Sequence, residues 1–164
     1  MGSKIFHNKQ LATMKTIIKL SLSIMALGLL SSASNVTHHK VDEAEGIQFF
    51  EGSWEEALKE SQETGKPIFL DAYASWCGPC KALKARVFTN QEVGAYFNEH
   101  FINVEKDMEK GEGRQIARTY RVTSYPSLFF VKDDGSVVKR AVGYRNPEQL
   151  LLLGQQALEA YENI

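Results

Sequence analysis

The stretch YASWCGPCKAL, residues 73–83, contains both cysteines of this 164-residue chain, with two residues between them. It overlaps the end of the apolar run at residues 67–74, which is typical of a buried strand, and it leads into a helical pattern. The N–H groups and the dipole at the start of a helix favour negative charge there. We therefore expect the thiol of Cys77 to ionise more easily than a free thiol. Cys77 and Cys80 can exist as a dithiol or as a disulfide, because their spacing allows a small ring.

Hydrophobic periodicity on both sides of this stretch predicts alternating strands and helices. The charged residues 105–113 are expected to form a solvated loop, and the turn at residues 133–135 is expected to join two antiparallel strands. The fold class is therefore α/β, with a mixed sheet that has helices on both faces. Five strands are predicted, at residues 47–50, 67–74, 101–104, 127–131 and 137–142. Five helices are predicted: one at residues 54–64, one from the cysteines to residues 89–90, one that begins at Asn90, one at residues 114–121 and one that begins at Pro147.

The hexapeptide Trp76-Cys77-Gly78-Pro79-Cys80-Lys81 has the active-site sequence of the thioredoxin family. Tyr125-Pro126 follows at the spacing typical of that family, and the order of elements from about Ile47 to the C-terminus also resembles the thioredoxin fold. The resemblance implies a thiol-disulfide oxidoreductase with a central mixed sheet flanked by helices. In that chemistry the Cys77 thiolate attacks a substrate disulfide, and Cys80 then attacks Cys77 to release the reduced substrate.

Asp71, six residues before the first cysteine, matches the buried acid that the family places beneath its second cysteine. A carboxyl among apolar neighbours has a raised pKa, so Asp71 can exchange a proton with Cys80. The alternative is an ordinary acid at the end of a strand. The chain departs from the family at two places. The lysine partner of the buried acid is missing, with Asn103 near its place and Lys106 slightly beyond, and Ala85 stands where thioredoxins commonly have a proline.

The resemblance also implies a substrate-binding surface around the cysteines. Pro126 matches the family's cis-proline, which leaves the backbone of Tyr125 free to pair with an extended substrate segment, and the alternative is a simple proline at a strand entry. Trp76 would be an apolar docking surface and Gly143 the rim of the same groove, although both could equally be packing or turn residues. The predicted site residues are Cys77, Cys80 and Asp71 as catalytic groups and Trp76, Gly78, Pro79, Tyr125, Pro126 and Gly143 as substrate-binding groups.

The N-terminus has the three-part pattern of a secretory signal. A basic start at residues 14–19 leads into the apolar residues 20–30, and the small residues 31–34 follow. The alternative is an uncleaved membrane anchor, although the apolar core is shorter than the roughly 20 residues that span a bilayer. We predict a signal peptide over residues 1–33, starting at Met1 or Met14, a linker over residues 34–46 and the thioredoxin-like domain over residues 47–164.

The predicted export and the dipeptide between the cysteines suggest a direction of electron flow. Gly78-Pro79 favours the reducing end of the family, and an oxidising compartment keeps most cysteine pairs as disulfides. We therefore predict an enzyme that reduces protein disulfides in the periplasm of a Gram-negative bacterium, with a membrane thiol-disulfide transporter as its electron donor. A disulfide oxidase or isomerase and a non-catalytic binding module are the alternatives.

Composition and spacing argue against other classes of function. Four of the 19 basic residues and none of the 20 acidic residues lie in the predicted leader, which leaves a net charge of about −5 and no basic cluster for nucleic acid. A zinc site needs about two ligands beyond the cysteines, and the candidates His38, His39 and His100 are scattered over the predicted linker and a surface helix. We expect a monomer without a metal, whose only redox group is the Cys77-Cys80 couple.

Overall fold

Residues 46–163 are described by the computed structural model, so the predicted leader and nearly all of the predicted linker lie outside the described residues. No helix within residues 46–163 is both long enough and apolar enough to cross a bilayer. Helices and strands alternate in this part of the chain. The elements are α1 (Trp54–Thr64), β1 (Ile68–Tyr73), α2 (Gly78–Arg86), α3 (Gln91–His100), β2 (Ile102–Asp107), α4 (Gly113–Thr119), β3 (Ser127–Val131), β4 (Val137–Val142) and α5 (Pro147–Glu162).

The four strands form one mixed sheet in the order β2-β1-β3-β4. β1 pairs with β2 in parallel and with β3 in antiparallel orientation, and the hairpin after β3 adds β4 at the edge. Gly135 has φ 82° in that hairpin turn, a left-handed conformation that favours glycine. The predicted antiparallel hairpin at residues 133–135 is confirmed, whereas the change from parallel to antiparallel pairing occurs one strand earlier, between β1 and β3.

Two hydrophobic cores cover the two faces of the sheet, because side chains alternate along each strand. Phe69 lies on the face covered by α2, α3 and α5, where its ring centroid is 4.8 Å from that of Phe97. Ile68 and Leu70 lie on the opposite face, which α1 and α4 cover. By the same alternation, Asp71 belongs to the face of Phe69 and lies beneath α2.

Side-chain caps determine where several helices begin. Ser53 Oγ accepts a hydrogen bond from Glu56 N–H at 3.2 Å, and the Glu56 carboxylate accepts one from Ser53 N–H at 2.8 Å. These bonds satisfy backbone donors that α1 itself leaves unpaired. Asn90 caps α3 and Asn146 caps α5 through the same kind of bond, so these predicted helix starts are confirmed.

The predicted first strand at residues 47–50 is wrong. This segment belongs to no helix or strand, and its backbone makes isolated hydrogen bonds rather than a ladder. Ile47 N–H donates to the Phe88 carbonyl, and Phe50 N–H donates to the Asn103 carbonyl of β2. The sheet of the described residues therefore has four strands instead of the predicted five.

β2 is longer than its apolar pattern predicts. Hydrophobic residues indicate a strand only as far as Val104, and the sequence predicts a solvated loop over residues 105–113. In the structure the backbone pairing continues for three more residues, so Glu105 lies beside Asp71 in the parallel register. Because backbone groups make this pairing, polar side chains do not prevent it at a partly exposed end of a sheet. The loop prediction is therefore wrong for the first part of this range.

Candidate active site

Cys77 occupies the turn between β1 and α2. Its N–H donates to the Ala74 carbonyl at 3.0 Å, and Cys77 is the N-cap residue of α2. Its sulfur is bonded to that of Cys80, with the two Cα atoms 5.3 Å apart. Cys80 N–H donates to Cys77 Sγ at 3.1 Å. This backbone donor and the positive end of α2 both favour a thiolate at Cys77 once the disulfide is reduced.

The disulfide is buried beside an exposed aromatic ring. Cys77 and Cys80 are 3% and 5% exposed, whereas the neighbouring Trp76 is 65% exposed. Trp76 Nε1 donates to Glu109 Oε2 at 2.9 Å, and its ring meets that of Tyr125 edge-on with 5.8 Å between centroids. Tyr125 also packs against the buried cluster that contains the two cysteines. The structure thus brings Trp76 and Tyr125 together at the disulfide.

Pro126 and Gly143 lie next to each other at neighbouring ends of β3 and β4. The peptide bond between Tyr125 and Pro126 is cis, as the resemblance implies. The Pro126 carbonyl accepts a hydrogen bond from Gly143 N–H at 2.8 Å. Gly143 has φ 89°, in the left-handed region that favours glycine. A substrate-binding role for these residues stays a prediction.

Gly78 and Pro79 form the exposed first turn of α2. Apart from its two chain neighbours and the backbone of α2, no atom lies within 4 Å of the position that a Cβ of Gly78 would take, so the surface above this residue is open. Pro79 suits its place early in the helix, where the missing N–H would have no helical partner. The disulfide therefore has open surface along this turn, where an extended substrate could approach.

Asp71 is the buried acid beneath α2. It is 3% exposed, and its Oδ1 has no hydrogen-bond partner among the described residues. Burial is the main reason that the pKa of Asp71 is raised to about 7, with Glu105 adding to the rise and Lys84 opposing it. Asp71 and Cys80 line the same cavity of about 70 Å³. A carboxyl with a pKa near neutrality can accept and return a proton there.

Residues 54–158 match the family profile of the thioredoxin-like domain. The chain belongs to the thioredoxin-like family. One thioredoxin-like relative is a thioredoxin H-type protein from Fagopyrum esculentum, which is 31% identical over 97 residues, or 59% of this chain and 78% of the relative. Together with the Cys77-Cys80 disulfide, this membership makes the chain a thioredoxin-like thiol-disulfide oxidoreductase.

Two solved thioredoxin-like structures resemble the chain over most of their length. A solution structure of a candidate disulphide isomerase from Bacteroides thetaiotaomicron is 46% identical, with a TM-score of 0.60, and the match covers 69% of this chain and 96% of that one. The oxidised C-terminal domain of DsbD from Neisseria meningitidis is 25% identical, with a TM-score of 0.54 and coverage of 62% and 90%. The thioredoxin fold predicted from the sequence is confirmed.

Three charged residues of this thioredoxin-like site were not predicted from the sequence. Glu109 binds the indole of Trp76, and Glu105 and Lys84 lie near Asp71. The signal for Lys84 is its position four residues after Cys80, which places both on one side of a helix. Glu105 gives no such signal, because its place depends on how far β2 continues.

Neither Asn103 nor Lys106 takes the place of the missing lysine partner of Asp71. Asn103 is buried, and its Nδ2 donates to the Gln48 carbonyl at 3.3 Å. Lys106 Nζ donates to the Gly52 carbonyl at 2.7 Å. The lysine that acts on the charge of Asp71 comes instead from α2, where the thioredoxin resemblance does not predict it.

The cysteines and histidines do not converge in the part of the chain that the structure describes. No group of three or more histidine, cysteine, aspartate or glutamate side chains within residues 46–163 is arranged to hold a metal ion. His100 lies at the end of α3, with its ring centroid 4.4 Å from that of Tyr96. His38 and His39 lie outside the described residues.

Proposed function

We propose that this thioredoxin-like oxidoreductase reduces protein disulfides in the periplasm of a Gram-negative bacterium. The observation that carries the proposal is the Cys77-Cys80 disulfide at the N-terminus of α2, buried yet bordered by open surface at Trp76 and Gly78. A sulfur in that position is a good nucleophile when reduced, and the second sulfur lies close enough to resolve a mixed disulfide.

The proposed reaction begins with the reduced protein. The Cys77 thiolate attacks one sulfur of the substrate disulfide, whose S–S bond breaks, and the other substrate sulfur leaves as a thiolate. The Asp71 carboxylate takes the proton of Cys80, and the Cys80 sulfur attacks Cys77 Sγ and releases the second substrate sulfur. Two electrons have then passed to the substrate, whose two sulfurs take up protons, and the Cys77-Cys80 disulfide has formed.

A membrane thiol-disulfide transporter is the proposed electron donor. Each turnover leaves the protein in its disulfide form, and an oxidising compartment offers no thiol pool that would reduce it. The resemblance to the C-terminal domain of DsbD, a thiol-disulfide interchange protein, supports a donor of this class. The Gly78-Pro79 dipeptide favours the same direction, in which the protein passes electrons on to its substrates.

A disulfide isomerase or oxidase is the second candidate function. The observation that favours it is the 46% identity to the structure described as a candidate disulphide isomerase. The same two sulfurs would act in both cases. An oxidase takes electrons from its substrate, whereas an isomerase exchanges disulfides of the substrate without a net transfer of electrons. The direction of electron flow depends on the relative stability of the dithiol and disulfide forms of the Cys77-Cys80 couple.

The reduction potential of the Cys77-Cys80 couple separates these candidates. We expect a value of about −270 mV, the value of thioredoxin. Equilibration in dithiothreitol and glutathione buffers, followed by trapping and mass spectrometry of free thiols, measures it. A potential of about −180 mV, as in protein disulfide isomerase, would favour the isomerase, and about −120 mV, as in DsbA, would favour the oxidase and contradict the reductase.

Export is tested by the location and N-terminus of the full chain in a Gram-negative host. The basic, apolar and small residues at positions 14–34 support a cleaved leader. We expect periplasmic protein that begins at residue 34 or 35, as N-terminal sequencing would show. An uncleaved chain in the membrane fraction would support the anchored alternative, and an uncleaved chain in the cytoplasm would contradict export.

A further inference from the structure

Asp71, Glu105 and Lys84 form a charged cluster. Asp71 lies on β1, Glu105 on β2 and Lys84 on α2. Asp71 and Glu105 are register partners in the parallel pair, so they project from the same face of the sheet. Both carboxylate oxygens of Glu105 accept hydrogen bonds from Lys84 Nζ at 2.8 Å. Because Lys84 follows Cys80 by four residues in α2, the cluster joins the buried acid to the helix that carries both cysteines.

The Lys84-Glu105 ion pair lines the same cavity as Asp71 and is more exposed to solvent than Asp71. Asp71 and Cys80 are buried, whereas the side chains of Lys84 and Glu105 are 62% and 26% exposed. All four residues line the cavity of about 70 Å³ beside Asp71, a volume that has room for water. A proton that moves between Asp71 and the surface through this cavity therefore moves in the field of both charges of the ion pair.

We propose that Lys84 and Glu105 are positioning residues that set the charge state of the Asp71 carboxyl, and through it the rate at which Cys80 is deprotonated and substrate is released. The effect on release rests on the proposed reductase chemistry, whereas the effect on Asp71 does not. A Glu105 anion disfavours a second carboxylate beside it, and the Lys84 cation favours one. Since both charges act together, they oppose each other at Asp71.

The other groups around Asp71 offer no comparable control. Tyr73 follows on the same face of β1, and its pKa is raised above 10 mainly by burial, so it stays neutral near pH 7. Lys81 also lines the cavity, but it is an exposed residue of the first turns of α2. β3 places the uncharged Leu128 opposite Asp71. Lys84 and Glu105 are thus the two charges whose removal tests the proposal.

Neutralising each partner separately should change the proton affinity of Asp71 in opposite directions. The variants are Lys84→Gln, Glu105→Gln and the double variant, each as the oxidised full chain. Carbon-13 NMR titration of the Asp71 carboxyl measures the affinity. We expect Glu105→Gln to weaken it about tenfold, Lys84→Gln to strengthen it about tenfold, and the double variant to remain within about threefold of wild type.

An exposed ion pair on α1 provides matched controls. Lys59 and Glu63 lie 3.5 Å apart with both side chains largely in solvent, so Lys59→Gln and Glu63→Gln should leave the proton affinity of Asp71 unchanged. A merely structural role of Lys84 and Glu105 would move the affinity in one direction for both variants. That result, or an affinity within about twofold of wild type in both, would overturn the proposal.

The pH profile of substrate release links the ion pair to turnover. A mixed disulfide between Cys77 and a fluorescent peptide is formed, and its release is followed by stopped flow between pH 5 and 9. The midpoint of the profile should move with the NMR midpoint of Asp71 in each variant. NMR shifts without a matching change in release would overturn the link to Cys80. If wild-type protein forms no mixed disulfide, the proposed function fails, and the NMR titration alone decides whether the pair controls Asp71.

Discussion

Insulin reduction by the Cys77→Ser variant is expected to fall at least roughly 10³-fold below wild type, to the background rate of the reductant. A serine hydroxyl is not ionised near neutral pH and does not attack a disulfide, whereas the sulfur at the N-terminus of α2 is favoured as a thiolate. The dithiothreitol-coupled insulin precipitation assay measures the change.

Cys80→Ser is the matched variant, because it keeps the nucleophile and removes the thiol that releases substrate. We expect it to accumulate a mixed disulfide at Cys77, visible by non-reducing electrophoresis and mass spectrometry. Undiminished insulin reduction by Cys77→Ser would show that Cys77 is not the nucleophile. Background activity in wild type and both variants alike would favour the non-catalytic binding module.

Asp71→Asn is expected to be more stable than wild type above pH 7, by on the order of 2–4 kcal/mol. The pKa of Asp71 is raised from its ordinary value of 3.8 to about 7 in the folded protein, mainly by burial. Between these values the unfolded chain has lost the proton and the folded chain keeps it. The stability of wild type therefore falls as pH rises from about 4 to about 7, and the asparagine variant lacks this loss.

Urea denaturation at pH 4, 5.5, 7 and 8.5 measures the difference between wild type and Asp71→Asn. Asp134→Asn is the control of opposite sign, because hydrogen bonds from Ser136 lower the pKa of Asp134. Its contribution is present above the unfolded pKa and is lost as pH falls. A difference in unfolding free energy between wild type and Asp71→Asn that is constant from pH 4 to pH 8.5 would contradict a raised pKa at Asp71.

In the reductase assay, Asp71→Asn should also slow substrate release at least roughly tenfold.

Local patterns in the sequence were enough to predict most helices and the central strands. The caps Ser53, Asn90 and Asn146 indicated helix starts correctly, because a cap needs only residues within one turn. Strand pairing depends instead on backbones from distant parts of the chain. Residues 47–50 have a strand-like composition without a ladder, and residues 105–107 are charged yet continue β2.

The candidate site shows the same division between local and distant information. One motif located both cysteines, and the alternation of β1 explains why Asp71 lies beneath α2. Glu105 could not be found without the register of β2, and Glu109 could not be found without the path of the following loop. The structure places Trp76, Tyr125 and the Gly78-Pro79 turn at the disulfide, and Gly143 is hydrogen-bonded to Pro126. The substrate-binding roles stay predictions for all six residues: Trp76, Gly78, Pro79, Tyr125, Pro126 and Gly143.

The anchoring of Trp76 has a consequence for any protein that lands on this surface. An indole that is mostly in solvent would normally sample several rotamers, and freezing such a side chain on association costs about 0.5–1.5 kcal/mol. Here the Glu109 carboxylate holds one edge of the indole and the Tyr125 ring supports it from the side. A chain that contacts Trp76 would therefore meet a ring that is already ordered, and the entropy of ordering this ring would be lost during folding rather than on association.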